Sequence, residues 1–157
     1  MITFFILDFL ERFHGQNVRL ESVNYPGYYI RHRNYQCWLD KYGYYGGDDL
    51  FGKDSSFTVV KGLSGITNSV SFQSTNYPDH YLANNNGLIR MEDMTHNVRE
   101  ATWMLRGSLW EGDRDTYSIS SSIDDRFIRH QGYRIKMHTK DGSDLFKKDA
   151  SFKIVAV

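Results

Sequence analysis

The chain has 157 residues, with 19 Lys+Arg against 19 Asp+Glu, so its formal net charge is zero. That balance lacks the basic excess that nucleic acid or an anionic membrane surface requires, and neither is expected as a partner. A single cysteine, Cys37, excludes an intrachain disulfide and a cysteine-based zinc site.

The first residues, Met1 to Phe13 (MITFFILDFLERF), are apolar but interrupted by Asp8 and lack a basic leader. Residues 1–16 read as an extension in the form of a degenerate signal, a short helix or a leading strand. Residues 17–157 read as one domain by size. No later segment is apolar for the roughly eighteen residues of a membrane span.

From residue 17 onward the chain repeats itself. Val18 to Asn34 reads VRLESVNYPGYYIRHRN, Val70 to Asn86 reads VSFQSTNYPDHYLANNN, and Tyr117 onward reads YSISSSIDDRFIRHQGY. The endings of the first and third repeats also match, as DDLFGKDSSFTVV (Asp48 to Val60) and SDLFKKDASFKIV (Ser143 to Val155). The units run over about residues 17–65, 66–113 and 114–157.

Within each unit the hydrophobic period is two, the pattern of half-buried strands. Val18 and Leu20 alternate with Arg19 and Glu21, and Val70 and Phe72 with Ser71 and Gln73. Cys37, Ile89 and Ile135 form one inward column and Leu39, Met91 and Met137 another, so Cys37 reads as a small core residue. Asn-Tyr-Pro-Gly, Tyr-Gly-Gly-Asp-Asp, Asn-Asn-Asn-Gly and Lys-Asp-Gly-Ser separate the strands with turn chemistry. No amphipathic helix is expected beyond the N-terminal stretch, and Asp48-Asp49 and Asp124-Asp125 are expected in turns. Three all-β units of this size, none able to bury its own inward columns, predict an all-β fold, a β-trefoil with three pseudo-equivalent repeats.

The six histidines fit no zinc-type or hydrolase motif, and no phosphate-binding glycine loop is present, so no catalytic set, metal or cofactor is expected. What recurs is a His and an Asp: His32 with Asp54 in the first repeat, His130 with Asp149 in the third. The second repeat has Asn84 and Glu100 instead, a chemically altered pair. Such a pair either locks a repeat corner internally or receives a sugar, the carboxylate accepting from hydroxyls and the imidazole completing the contact. In the second case Tyr25, Tyr28, Tyr35 and Tyr133 are placed to cover the apolar face of the sugar ring. The Tyr-rich insertion Tyr42 to Tyr45 is expected beside the first pocket.

The string Asn24 to His32 (NYPGYYIRH), with KDSSF and KDASF further on, resembles the arabinose-binding domain of α-L-arabinofuranosidase B, carbohydrate-binding module family 42. The resemblance covers about residues 17–157 and implies a β-trefoil binding arabinofuranose side chains of hemicelluloses through pockets in individual lobes. Carried over by residue, it implies His32 with Asp54 in lobe one and His130 with Asp149 in lobe three, and a weak or silent lobe two at Asn84 and Glu100. It also implies an extracellular location.

The expected function is therefore non-catalytic, lectin-like binding of polysaccharide side chains, with Tyr35 and Tyr133 among the contacts. The alternative is a protein-interaction trefoil that shares the fold but not the sugar binding. A small hydrolase ranks third. The sequence leaves the oligomeric state open.

Overall fold

The computed structural model describes residues 9–94, 97–110, 112 and 115–157. Residues 9–13 form a helix, α1, whose Phe9 and Phe13 enter the core, Phe9 lying edge-on to Tyr117 with ring centroids 5.1 Å apart. The rest of the apolar stretch, residues 1–8, lies outside the described residues.

Three lobes follow, each of four strands. Lobe one holds β1 (Asn17–Ser22), β2 (Tyr28–Arg33), β3 (Gln36–Lys41) and β4 (Phe57–Lys61). Lobe two holds β5 (Val70–Ser74), β6 (His80–Asn85), β7 (Leu88–Asp93) and β8 (Trp103–Gly107). Lobe three holds β9 (Thr116–Ser121), β10 (Arg126–Gln131), β11 (Arg134–Thr139) and β12 (Phe152–Ala156).

The outer strands of each lobe close a six-membered ring, β1–β4–β5–β8–β9–β12 and back to β1, every pairing antiparallel. The inner pairs form three hairpins that cap the ring and touch one another through Gln36↔Arg90, Leu88↔Lys136 and Arg134↔Trp38. A closed barrel capped by three hairpins is a β-trefoil, as the repeats predicted. Its core is built in threes: Leu20, Phe72 and Ile119; Phe57, Trp103 and Phe152; Ile30, Leu82 and Ile128, all buried. Cys37, Ile89 and Ile135 join them, and Cys37 directs its thiol at Met91 Sδ, 3.7 Å away. Burial pushes that thiol up to about 12.

The hairpin tips are two-residue turns with both residues at positive φ, the geometry that matches strand twist. They are Asn34-Tyr35 (φ 52° and 62°), Asn86-Gly87 (54° and 89°) and Gly132-Tyr133 (60° and 62°). Each tip is clamped to the next hairpin: Met91 N–H donates to Tyr35 O, Met137 N–H to Gly87 O, and Leu39 N–H to Tyr133 O. The third hairpin also supplies Arg134, whose buried guanidinium donates to Cys37 O and Ile89 O and so ties all three hairpins at the pseudo-threefold axis.

The structure corrects the expectation of no helix past the N-terminus. Gly47–Asp54 is a helix, α2, and Asp144–Asp149 another, α3, so Asp48 and Asp49 lie in a first helical turn and not in a loop. These helices are too short to show a periodic apolar stripe, and each buries only one large apolar side chain. Phe51 and Asp54, and likewise Phe146 and Asp149, are three residues apart and share the buried face. Acidic residues in the first turn and Lys in the last suit the helix dipole. In lobe two a short 3-10 turn, Val98–Ala101, takes the helix's place.

Candidate functional site

The helices deliver the aspartates to the sequence-predicted histidines, yet His and Asp are not directly hydrogen-bonded. His32 Nε2 lies 3.7 Å from Asp54 Oδ1, and His130 Nε2 lies 3.4 Å from Asp149 Oδ1. An asparagine from a neighbouring lobe bridges each pair. Asn76 places Oδ1 2.9 Å from His32 Nε2 and donates from Nδ2 to Asp54 Oδ1 at 2.8 Å. Asn24 does the same for lobe three, 2.8 Å from His130 Nε2 and 2.9 Å from Asp149 Oδ1. Each asparagine oxygen also accepts from a serine hydroxyl, Ser74 or Ser22.

The second oxygen of each aspartate is held by an arginine. Arg31 Nη2 donates to Asp54 Oδ2 at 2.6 Å, and Arg129 Nη2 donates to Asp149 Oδ2. Each guanidinium lies over the phenylalanine of the adjoining helix, 4.8 Å from the Phe51 centroid and 5.1 Å from that of Phe146. Arg31 additionally donates to Tyr44 O and Tyr45 O, which joins the Tyr-rich insertion to the first cluster.

The network fixes the histidine tautomer. Because the asparagine must donate to the carboxylate, its oxygen faces the ring, so Nε2 carries the proton and donates to it. Nδ1 is left as an acceptor, with no protein partner among the described residues. Burial lowers the pKa of both histidines below the ordinary value; the nearby aspartates oppose this, as does the asparagine for His32, while the arginines reinforce it. Both rings are therefore neutral near pH 7.

Aromatic rings cover each cluster. Tyr77 lies over His32 with centroids 4.9 Å apart and stacks on Tyr35 at 5.5 Å, beside His80. Tyr25 lies over His130 at 4.8 Å and faces Tyr133 at 5.8 Å, beside Tyr28. The histidines and aspartates are buried, whereas Tyr25, Tyr35, Tyr77 and Tyr133 are each 39–50% exposed. The open surface of each site is thus tyrosine, with the polar cluster behind it.

Each site therefore belongs to a junction of two lobes, not to one lobe. Tyr25 and Tyr28, near in sequence to His32, serve His130 instead. The residues missed from the sequence are Asn76, Tyr77 and Arg31 at the first junction, and Asn24 and Arg129 at the second. A signal for them existed: Asn-Tyr-Pro occurs in repeats one and two, while the His–Asp pair occurs in repeats one and three. The two halves are offset by one repeat.

The remaining junction lacks both halves. Asn84 Nδ2 donates straight to Glu100 Oε2 at 2.8 Å, and Ala83 stands where the arginine would be. The facing turn of lobe three, residues 122–125, is one residue shorter than residues 23–27 and 75–79 and has no Asn-Tyr-Pro. An open groove lined by Asn84, Asn86, Asn97, Glu100 and Arg126 replaces the tyrosine surface. Among the described residues no group of His, Cys, Asp and Glu could hold a metal ion, and no helix is long and apolar enough to cross a membrane.

The closed ring and its three capping hairpins define the class of fold, a β-trefoil. Comparison with solved structures finds the same architecture in a GH54 α-L-arabinofuranosidase variant soaked with 4-nitrophenyl α-L-arabinofuranoside (23% identity, TM-score 0.76). It also finds it in an arabinofuranosidase complexed with arabinofuranosyl-α-1,2-xylobiose (23% identity, TM-score 0.75). The chain is covered to 90–91% in these matches but spans only 31% of the length of either arabinofuranosidase. The β-trefoil BEL, at 17% identity and TM-score 0.66, is matched over 92% of this chain and 94% of its own. Sequence comparison with curated proteins finds no match. The profile of the alpha-L-arabinofuranosidase B (ABFB) domain matches residues 13–97 and 85–157, and the chain belongs to that family.

Proposed function

We propose that the chain binds polysaccharides through arabinofuranose or similar side chains, at the lobe one–two and lobe three–one junctions, without hydrolysing them. The sugar ring lies on Tyr35 and Tyr77 at one junction and on Tyr133 and Tyr25 at the other. Neutral His32 and His130 accept a hydroxyl at Nδ1, and Asp54 and Asp149, fixed by arginine and asparagine, supply further acceptor lone pairs.

The observation that carries this reading is the backbone at the hairpin tips. Tyr35 and Tyr133 stand at φ 62°, a conformation unfavourable for an aromatic residue, where the lobe-two hairpin uses Gly87. Tyrosine occupies the strained position at both junctions that keep the His–Asn–Asp cluster, and glycine at the one that lacks it. A purely structural tip gains nothing from that exchange, whereas a stacking surface for a sugar does. Two such sites on one chain gain avidity on a polymer. Decorated plant-type polysaccharide as target implies an extracellular setting.

Titration of arabinoxylan with wild type, Tyr35→Ala, Tyr133→Ala and the double variant tests the reading, with L-arabinose and galactose as competitors. Each single change should weaken binding and the double should abolish it, with arabinose competing better than galactose. Wild-type protein that folds but ignores arabinoxylan, or a double variant that binds like wild type, overturns it.

A further inference from the structure

Lobe one carries a groove whose lining differs from the residues at the equivalent place in lobe three, its closest counterpart in sequence. It has a volume of about 350 Å³ and is bordered by Arg19 of β1, Tyr42 of the insertion, and Asp48, Asp49, Gly52 and Lys53 of α2. The two helices otherwise match, Leu50-Phe51-Gly52-Lys53-Asp54 against Leu145-Phe146-Lys147-Lys148-Asp149, so a glycine stands where lobe three has Lys147. At the equivalent of Arg19, β9 has Ser118, and lobe three has no counterpart of Tyr42. Three differences between two similar lobes thus converge on one place.

The bare Cα of Gly52 leaves room for the groove's polar walls. Its φ is ordinary, but a Cβ would sit 3.1 Å from Arg19 Nη2 and 3.2 Å from the Tyr42 hydroxyl. A glycine inside a helix costs about 1 kcal/mol relative to alanine, so its presence is set against local stability. The Tyr42 ring is held against Phe51 (4.7 Å) and Tyr29 (5.6 Å), under the Arg19 guanidinium at 5.3 Å. The walls are therefore fixed while their polar ends are unspent. Arg19 makes one long hydrogen bond, 3.4 Å to Gly52 O, and its Nε has no partner. Among the described residues the side chains of Tyr42, Asp48, Asp49 and Lys53 make no hydrogen bond or ion pair.

We propose that this groove is a separate saccharide site that takes a neutral sugar ring. Arg19 and Lys53 balance Asp48 and Asp49, so a charged ligand gains no net attraction. A polyol uses both sets: its hydroxyls donate to the carboxylates, and its oxygens accept from the guanidinium, the ammonium and the tyrosine hydroxyl. The site is independent of the tyrosine surfaces at the lobe junctions and stands or falls without them.

The test is an amide chemical-shift titration of the full chain with methyl β-D-xylopyranoside and with cellobiose, alongside sodium D-glucuronate. Saturating shifts at Tyr42, Asp49 and Gly52 are expected with a neutral sugar. Gly52→Lys, which gives lobe one the residue of lobe three and suits a helix, should weaken that response by about tenfold or more. Arg19→Ser should weaken it several-fold. Both variants should keep wild-type amide shifts at Tyr35 and Tyr77 with methyl α-L-arabinofuranoside, a separate readout of the junction site. The proposal is overturned if neither neutral sugar moves the Gly52 amide, if the variants titrate like wild type, or if glucuronate binds more tightly than both. Should Gly52→Lys fail to fold, Arg19→Ser decides.

Discussion

Asn76 donates to Asp54 across the boundary between lobe two and lobe one, at 2.8 Å, while its oxygen receives the proton-bearing nitrogen of His32. The carboxamide thereby satisfies a buried anion and a buried imidazole at once. Replacing it with alanine leaves both unsatisfied, which costs about 2–4 kcal/mol from the loss of partners to two buried groups. Asn76→Ala and Asn24→Ala are each expected to lower the urea midpoint by a corresponding amount; midpoints within error of wild type would show that the bridge contributes nothing.

The neutral histidines predict an acid-sensitive fold. Burial holds the folded-state pKa of His32 and His130 below the ordinary value for histidine, about 6.5. Between the folded and unfolded values the unfolded chain binds more protons, so this stability is complete above about pH 6.5 and declines as pH falls through it. The groups facing His32 are Asp54, which favours protonation, and Arg31 and His80, which oppose it; Asp149 and Arg129 play these parts for His130. Melting temperature should fall between pH 7.5 and pH 5, and a His32→Gln/His130→Gln variant should show a shallower fall. Equal slopes in the two proteins would place the acid sensitivity elsewhere.

Strain at the hairpin tips predicts a separation of stability from binding. Asparagine tolerates positive φ better than tyrosine does. Tyr35→Asn and Tyr133→Asn should therefore leave the melting temperature unchanged or raised. Binding at the altered junction should drop by about tenfold, from loss of an aromatic stacking face. A parallel loss of stability and binding would make the tyrosines structural.

Arg134 predicts a shared dependence of the three hairpins on one side chain. Its guanidinium serves carbonyls of two hairpins other than its own, at Cys37 and Ile89. Arg134→Ala strands both acceptors in the cap and should cost about 2–3 kcal/mol. Hydrogen exchange should then accelerate in all three hairpins together, and acceleration confined to β10 and β11 would contradict the tie.

Cys37 is predicted to be inert in the folded protein. With a buried thiol pushed up to about 12, it should resist thiol reagents at pH 8 until the chain unfolds. Labelling rates that do not change with added urea would count against its placement.

The fold was legible because strand period and repeat are both written along one chain. Val18, Val70 and Tyr117 hold equivalent places in β1, β5 and β9, and Cys37, Ile89 and Ile135 fill one column, so alternation and threefold recurrence reinforce each other. The helices α2 and α3 were hidden by their length, since one buried phenylalanine cannot make a period. Of the candidate site, the histidine and aspartate were legible as recurring types. Their bridge was not, because Asn24 and Asn76 lie in turns whose composition is explained by the turn itself. Burial of the His–Asp pairs, with exposure left to the tyrosines, depends on packing between lobes, and linear spacing carries no record of it.

The paired departure at the third junction has a consequence for how such a chain can change. Asn84 and Glu100 sit in one repeat and the shortened turn, residues 122–125, in the next, yet they face each other across a single seam. A bridged cluster at this seam needs both partners, so neither repeat alone could supply one. Two departures that are far apart along the chain thus meet at one place in space. Rebuilding a third tyrosine-faced site would mean editing two repeats at once, whereas silencing either surviving site takes a change in only one.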